Sequence, residues 1–218
     1  LPKTDKYVFI VKNEIKDIVK KQLKVNKIFK SYEVLSLEGN TDGQAVTAAE
    51  GIKLALKNKP ITISACDHAL VYNSQKLLNI LNQTNYDLIV WTKSKHWNAL
   101  KNPNMYGWVS VEKERVKNVS VKKLLNSAEE DSILIGTFTF RNLDIYMRCY
   151  ERMLNRKGLV NNEYYIDTMI EDALFLGYNC IDMKVDQFIC WGTPNELKTY
   201  EYWEKCFSGW SSHPYQGN

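Results

Sequence analysis

The sequence predicts an α/β fold, a mainly parallel mixed sheet with helices on both faces in a three-layer, Rossmann-like arrangement, carrying a small antiparallel addition. Three observations predict it. Apolar strand-like runs alternate with amphipathic helical stretches three times between residues 7 and 92, the signature of βαβ units. The 218 residues are 44% hydrophobic and 25% charged, enough for one large core and too apolar for a disordered chain. No repeat, low-complexity tract or linker interrupts them. Residues 1–218 therefore read as one domain, and its character changes near residue 100.

In order, residues 7–11 (Tyr-Val-Phe-Ile-Val) form a buried strand, being aromatic and β-branched throughout. Asn13 caps a helix whose Ile15, Ile18, Val19 and Leu23 share one stripe. Residues 32–37 are a second strand, followed by the loop Glu38-Gly-Asn-Thr-Asp-Gly43 and a helix over 44–56. Its Ala45, Ala48 and Ala49 allow close packing on a sheet. Residues 61–66 read as a strand buried on both faces, 74–83 as helix and 86–92 as strand. In the second half, 106–111 and 116–121 pair across the charged turn Glu112-Lys-Glu-Arg115, and 132–140 is a further strand. Helices are expected over 142–154 and over 164–176, the latter stopped by Gly177. One or two strands lie in 180–190, and Pro194 opens a last helix to about Phe207.

Composition excludes several classes. The net charge is only +4. The lysines crowding the first thirty residues sit between apolar helix positions, which reads as a solvated face. No base-reading or stacking motif accompanies them, so no nucleic-acid partner is expected. No apolar run approaches the roughly 20 residues that span a bilayer, so no membrane partner is expected. Five scattered cysteines (66, 149, 180, 190, 206) form no C-x-x-C pair, and an odd number cannot pair completely within the chain. A reducing, cytoplasmic setting is expected. No signal segment is recognisable. The opening Leu-Pro-Lys-Thr-Asp lacks Met, and a fragment of a longer chain is expected.

Ligands of open α/β sheets bind beyond the carboxyl ends of the strands, which singles out three places. The loop from Glu38 to Gln44 leads into a helix. The backbone near Gly43 suits a base, with Glu38 or Gln44 adding a side-chain contact, while an ordinary loop capped by Asp42 is the plain alternative. At Ser64-Ala65-Cys66-Asp67-His68 a carboxylate ends an apolar strand, where it suits Mg²⁺ beside a phosphate chain or a simple turn. Near Phe188-Ile-Cys-Trp-Gly-Thr-Pro194, Asp186 is either a second metal ligand or a solvated strand residue. There is no G-x-S-x-G elbow, Walker loop, G-x-G-x-x-G or zinc spacing.

Taken together, these segments resemble the nucleoside-diphosphate-sugar pyrophosphorylases, the sugar-phosphate nucleotidyltransferases, whose relatives include phosphocholine-type cytidylyltransferases. Glu38-Gly-Asn-Thr-Asp-Gly-Gln-Ala45 is similar to the family's base-recognition loop and Ser64-Ala65-Cys66-Asp67 to its magnesium-binding strand end. Tyr106-Gly107-Trp-Val, the strand running to Lys122, and Ile135-Gly136-Thr-Phe resemble its acceptor side. Glu163-Tyr-Tyr-Ile-Asp167 resembles its acidic helix start, and Gly192-Thr-Pro-Asn-Glu-Leu197 its closing motif.

The resemblance implies transfer of a nucleoside monophosphate from a nucleoside triphosphate to a sugar 1-phosphate or similar small phosphorylated acceptor, for surface polysaccharide or related synthesis. Pyrophosphate leaves and Mg²⁺ is the cofactor. It implies Asp67 and Lys122 as catalytic groups and Asp67 with Asp186 as metal ligands. Glu38, Gly43, Gln44 and Ala65 would bind the nucleotide, and Tyr106, Gly107, Gly136, Glu163 and Asp167 the acceptor. Residues 1–100 would be the nucleotide half and 101–218 the acceptor half with the C-terminal helix. Three departures stand out. The family's first strand and glycine-rich loop are missing. Val121 stands where a Glu precedes the Lys, and Cys190 lies near the position of the second metal-binding Asp. A nucleotide-sugar-dependent glycosyltransferase and a non-catalytic nucleotide-binding domain remain open readings. The aromatic tail Trp203, Phe207, Trp210 and Tyr215 is expected either to pack internally or to form a homodimer face.

Overall fold

A computed structural model describes residues 2–210. In chain order it contains β1 (Tyr7–Lys12), α1 (Lys16–Asn26), β2 (Tyr32–Leu37), α2 (Gln44–Ile52), β3 (Ile61–Ser64) and β4 (His68–Val71). Next come α3 (Ser74–Leu81), β5 (Leu88–Ser94), α4 (Trp97–Lys101), β6 (Gly107–Glu112), β7 (Arg115–Val121) and β8 (Ser132–Phe140). The chain closes with α5 (Leu143–Asn155), α6 (Ile166–Phe175), β9 (Cys180–Lys184), β10 (Gln187–Cys190) and α7 (Pro194–Ser208).

The central sheet has six strands in the order β3-β8-β5-β9-β7-β6. It is mixed, and the expectation of a mainly parallel sheet is corrected: within it only β5 and β9 pair in parallel. The cause is β8. Arriving after the β6–β7 hairpin, it runs antiparallel between β3 and β5 and separates two strands that share a direction. The expectation that 61–66 is doubly buried is corrected as well. β3 is an edge strand and stays partly exposed.

Side-chain alternation along β5 builds a core on each face. Leu88 and Val90 pack with α2, α5 and α6, while Ile89 and Trp91 pack with α3 and α4. Each such fully buried side chain contributes roughly 1.5–3 kcal/mol. On the first face α5 and α6 are joined by an ion cluster. The buried Asp172 carboxylate accepts from Arg156 Nε at 2.6 Å and Nη2 at 2.9 Å, with Arg152 Nε at 3.3 Å.

β1 and β2 form a separate parallel pair. Ile10 and Val8 lie under Gly51 of α2, which connects this pair to the main core. β1 pairs only with β2, and β3 only with β8, so each has one free edge among the described residues. One expected helix face is corrected. In α1 only Leu23 is buried, while Ile15 and Ile18 are exposed. No residue of α7 is buried; Trp203 and Trp210 are exposed, the half-buried Phe207 ring lies against both, and Tyr215 lies outside the described residues. No helix among the described residues is long and apolar enough to cross a membrane.

Candidate active site

The turn between β3 and β4 carries Asp67. The Ala65 N–H donates to the Gly136 carbonyl at 3.0 Å and the Trp191 N–H to the Asp67 carbonyl at 2.7 Å. Gly136 sits in the left-handed region (φ +67°), where β8 slips register against β5, and a Cβ there would lie 3.3 Å from that of Ala65. The glycine thus lets the strand bend behind the turn. The structure places Gly136 beside Ala65 and not beside Asp167. His68 is held by Thr137 Oγ1 at 3.0 Å and Ser64 Oγ at 3.2 Å on Nε2, and its Nδ1 lies 3.7 Å from Asp67 Oδ1. Burial keeps its pKa below the ordinary histidine value. The Asp67 carboxylate itself is half-exposed, at 51%.

Across from it, β10 pairs with β4 in the register Cys190↔His68 to Gln187↔Val71. Cys190 Sγ and Asp67 Oδ2 both lie within 3.4 Å of the point a Cβ on Gly192 would occupy. Burial pushes the Cys190 thiol up to about 11. Asp186 is at the opposite end of this ladder, its N–H on the Val71 carbonyl at 2.8 Å. Four paired residues at about 3.3 Å each separate it from Asp67. Asp186 as a metal ligand is therefore corrected, because the strand that carries it runs away from the turn. Among the described residues no group of three or more His, Cys, Asp or Glu side chains is arranged to hold a metal. One half-exposed carboxylate still suits Mg²⁺, which binds through one or two carboxylates and keeps substrate phosphates and water for its other positions.

A second group forms where β6 begins. A Cβ on Gly107 would meet Asp167 Oδ2 at 2.5 Å and Leu134 Cδ1 at 2.9 Å, so glycine here leaves room for the carboxylate where it stands. Lys122 donates its N–H to the Tyr106 carbonyl at 3.1 Å and its Nζ to the Met105 carbonyl at 2.6 Å. Burial raises the Asp167 carboxyl to about 6, against the opposing effect of Lys122. Its folded pKa lies above its unfolded value, so folding favours the protonated form. That stability is complete below pH 4 and is lost as pH rises through 6. Asp167→Asn is expected to be more stable than the parent at pH 7 by roughly 1–3 kcal/mol, with the difference vanishing below pH 4; urea unfolding at both pH values measures it. Glu163 is exposed, and its hydrogen bond with the Tyr165 phenol is the main cause raising that phenol to about 12.

The Gly43 loop meets this group. The Tyr164 N–H donates to the Asp42 carbonyl at 2.7 Å, and the Ala45 N–H to the Tyr164 carbonyl at 2.9 Å. The backbone polar groups expected to face a base are therefore in part satisfied within the chain. Gly43 has φ +126°, and a Cβ on it would lie 2.6 Å from Tyr164 N and O. Gly43→Ala is expected to cost roughly 2–4 kcal/mol, seen as a lowered urea midpoint. Glu38 is exposed just beyond β2 and Gln44 half-buried at the start of α2; neither side chain has a partner among the described residues.

The expected residues do not all meet directly. A chain of contacts joins them through Cys190 and through two residues assigned no role from sequence, Glu196 and Asn98. The Gly43 loop touches Tyr164, Asp167 touches Gly107, and Tyr106 is bound by Asn98, which also binds Glu196 beside Cys190 and Asp67. Glu196 had a signal, the capping-box spacing Thr193-x-x-Glu196. Asn98 had none.

No family model and no curated protein matches the chain. Solved structures do. The nucleoside-diphosphate-sugar pyrophosphorylase of Vibrio cholerae superposes with a TM-score of 0.72 at 17% identity, over 90% of this chain and 80% of that one. The inositol-1-phosphate CTP transferase of T. maritima gives 0.68 at 14%, over 94% and 78%. A Bacillus anthracis protein assigned as a glucose-1-phosphate thymidylyltransferase and solved with sucrose gives 0.68 at 12%, over 90% and 74%. The chain has the fold of these proteins, the one implied by the resemblance of its motifs.

Proposed function

We propose that the protein is a nucleotidyltransferase that joins a nucleoside monophosphate, taken from a nucleoside triphosphate, to a small phosphorylated acceptor and releases pyrophosphate. The observation that carries this reading is the placement of the half-exposed Asp67 and of the Lys122–Asp167–Gly107 group on one contact chain, within a fold shared with such enzymes. An acceptor phosphate oxygen attacks the α-phosphorus in line, a reaction that needs positioning and charge neutralisation more than a covalent protein group. Asp67 would hold Mg²⁺, which when bound supplies charge neutralisation at the triphosphate. Lys122 neutralises the acceptor phosphate as a point charge. Tyr106, Glu163 and Asp167 address the remainder of the acceptor. Glu38 and Gln44, whose side chains are unengaged, are the groups left to seat the base.

The free edges of β1 and β3 support a further strand between them in the whole protein, leading to a glycine-rich triphosphate loop. The exposed Tyr202 and Trp203 of α7 support a self-association face, and five free cysteines support a cytoplasmic setting. Pyrophosphate release by the whole protein, assayed with ATP, CTP, GTP and UTP against glucose 1-phosphate, inositol 1-phosphate and phosphocholine in the presence of Mg²⁺, tests the reading. Turnover with at least one pair is expected. None with any pair removes it.

A further inference from the structure

Asn98, on the short helix α4, makes three side-chain hydrogen bonds beside the candidate site. Its Nδ2 donates to Tyr106 Oη at 3.0 Å and to Glu196 Oε1 at 2.8 Å, and its Oδ1 accepts from Asn102 Nδ2 at 2.9 Å. The amide orientation follows from charge, because the reverse would set its carbonyl against the Glu196 carboxylate. The other oxygen of Glu196 accepts from the Thr193 N–H at 3.1 Å and from Thr193 Oγ1 at 3.0 Å, closing the cap of α7. One amide therefore connects three stretches of chain: α4, the start of β6 and the start of α7, which stands next to Cys190 and Asp67.

The bond also has a direction. The Tyr106 oxygen accepts from Asn98, so the phenolic hydrogen is left to point elsewhere. Burial, with the nearby Glu196, holds the phenol at about 12, so it keeps that hydrogen throughout the neutral range. An oriented O–H donor suits an acceptor that carries phosphate oxygens.

We propose that Asn98 is a positioning residue, fixing Tyr106 as a hydrogen-bond donor to the phosphorylated acceptor and holding it in register with the helix start beside Asp67. The proposal rests on the nucleotidyltransferase reading above. Its test uses the whole protein and the acceptor among glucose 1-phosphate, inositol 1-phosphate and phosphocholine that gives the fastest pyrophosphate release. Asn98→Asp keeps the size, removes the donor and faces Glu196 with a like charge. It is expected to raise the acceptor KM about tenfold and to leave the triphosphate KM within about twofold. Tyr106→Phe is expected to do the same, and the double variant to be no worse than Tyr106→Phe alone. Equal rises in both KM values, or losses that multiply, overturn the proposal. Urea unfolding of Asn98→Ala, Glu196→Gln and their combination needs no substrate. Non-additive shifts are expected, and additive ones overturn the tie. Absence of turnover in the parent protein removes the function reading and the positioning role with it, while the urea cycle still decides the tie.

Discussion

Replacing Asp67 by Asn is expected to lower turnover roughly a thousandfold while leaving the fold intact. Both parts come from the same geometry. The carboxylate is half-exposed, and its nearest ionisable partner among the described residues is His68 at 3.7 Å, whose charged form burial disfavours. Losing its charge therefore removes little that supports the folded chain, and stability should stay within about 0.5 kcal/mol. Asparagine keeps the shape and one oxygen but not the negative charge that a hard cation requires. Cys190 does not compensate, because burial keeps its thiol protonated at neutral pH. Pyrophosphate release alongside thermal unfolding measures both halves. Turnover near the parent level would end the assignment of Asp67.

The largest expected loss of stability belongs to Arg156→Ala, about 3–5 kcal/mol by urea unfolding. Asp172 is buried (1% exposed) and accepts two hydrogen bonds from this guanidinium. Removing the cation leaves that carboxylate without its closest partner, since Arg152 stands farther off at 3.3 Å. Combining Arg156→Ala with Asp172→Asn should recover much of the loss, because the stranded charge is then gone. Activity should fall as well, since this ion cluster anchors the segment that carries Glu163 and Tyr164 to the Gly43 loop.

Local pattern found most of the elements. The runs at 32–37 and 132–140 coincide with β2 and β8, and the Glu112-Lys-Glu-Arg115 turn closes the β6–β7 hairpin as expected. What failed was non-local. Nothing in 132–140 says that this strand inserts antiparallel between β3 and β5, because insertion order is set by packing between distant segments. β4 and α4 were passed over because four or five residues are too few to show a period. The stripe before and along α1 is only half right: Val19 and Leu23 face inward, while Ile15 and Ile18 are exposed near Asp17, Lys21 and Gln22. Among the candidate site residues, Asp67 stood out as a charge at the end of an apolar strand, whereas Lys122 and Asp167 came only from the resemblance to a family. Asp186 was misread because alternation along a strand gives its face and not its distance from a turn on another strand. Asn98 donates to Glu196, 98 residues away, a relation no spacing rule contains.

The position of β8 also sets the order in which the molecule can assemble. Its partners β3 and β5 are made long before it, and Ser64 must wait for Thr137 to find its register. Closing such distant pairings costs chain entropy before any contact rewards it, which places this topology among slow folders. The turn at Ala65 is held by Gly136 of that same late strand. A nascent chain therefore leaves the turn that carries Asp67 without this support until β8 has emerged and paired with β3.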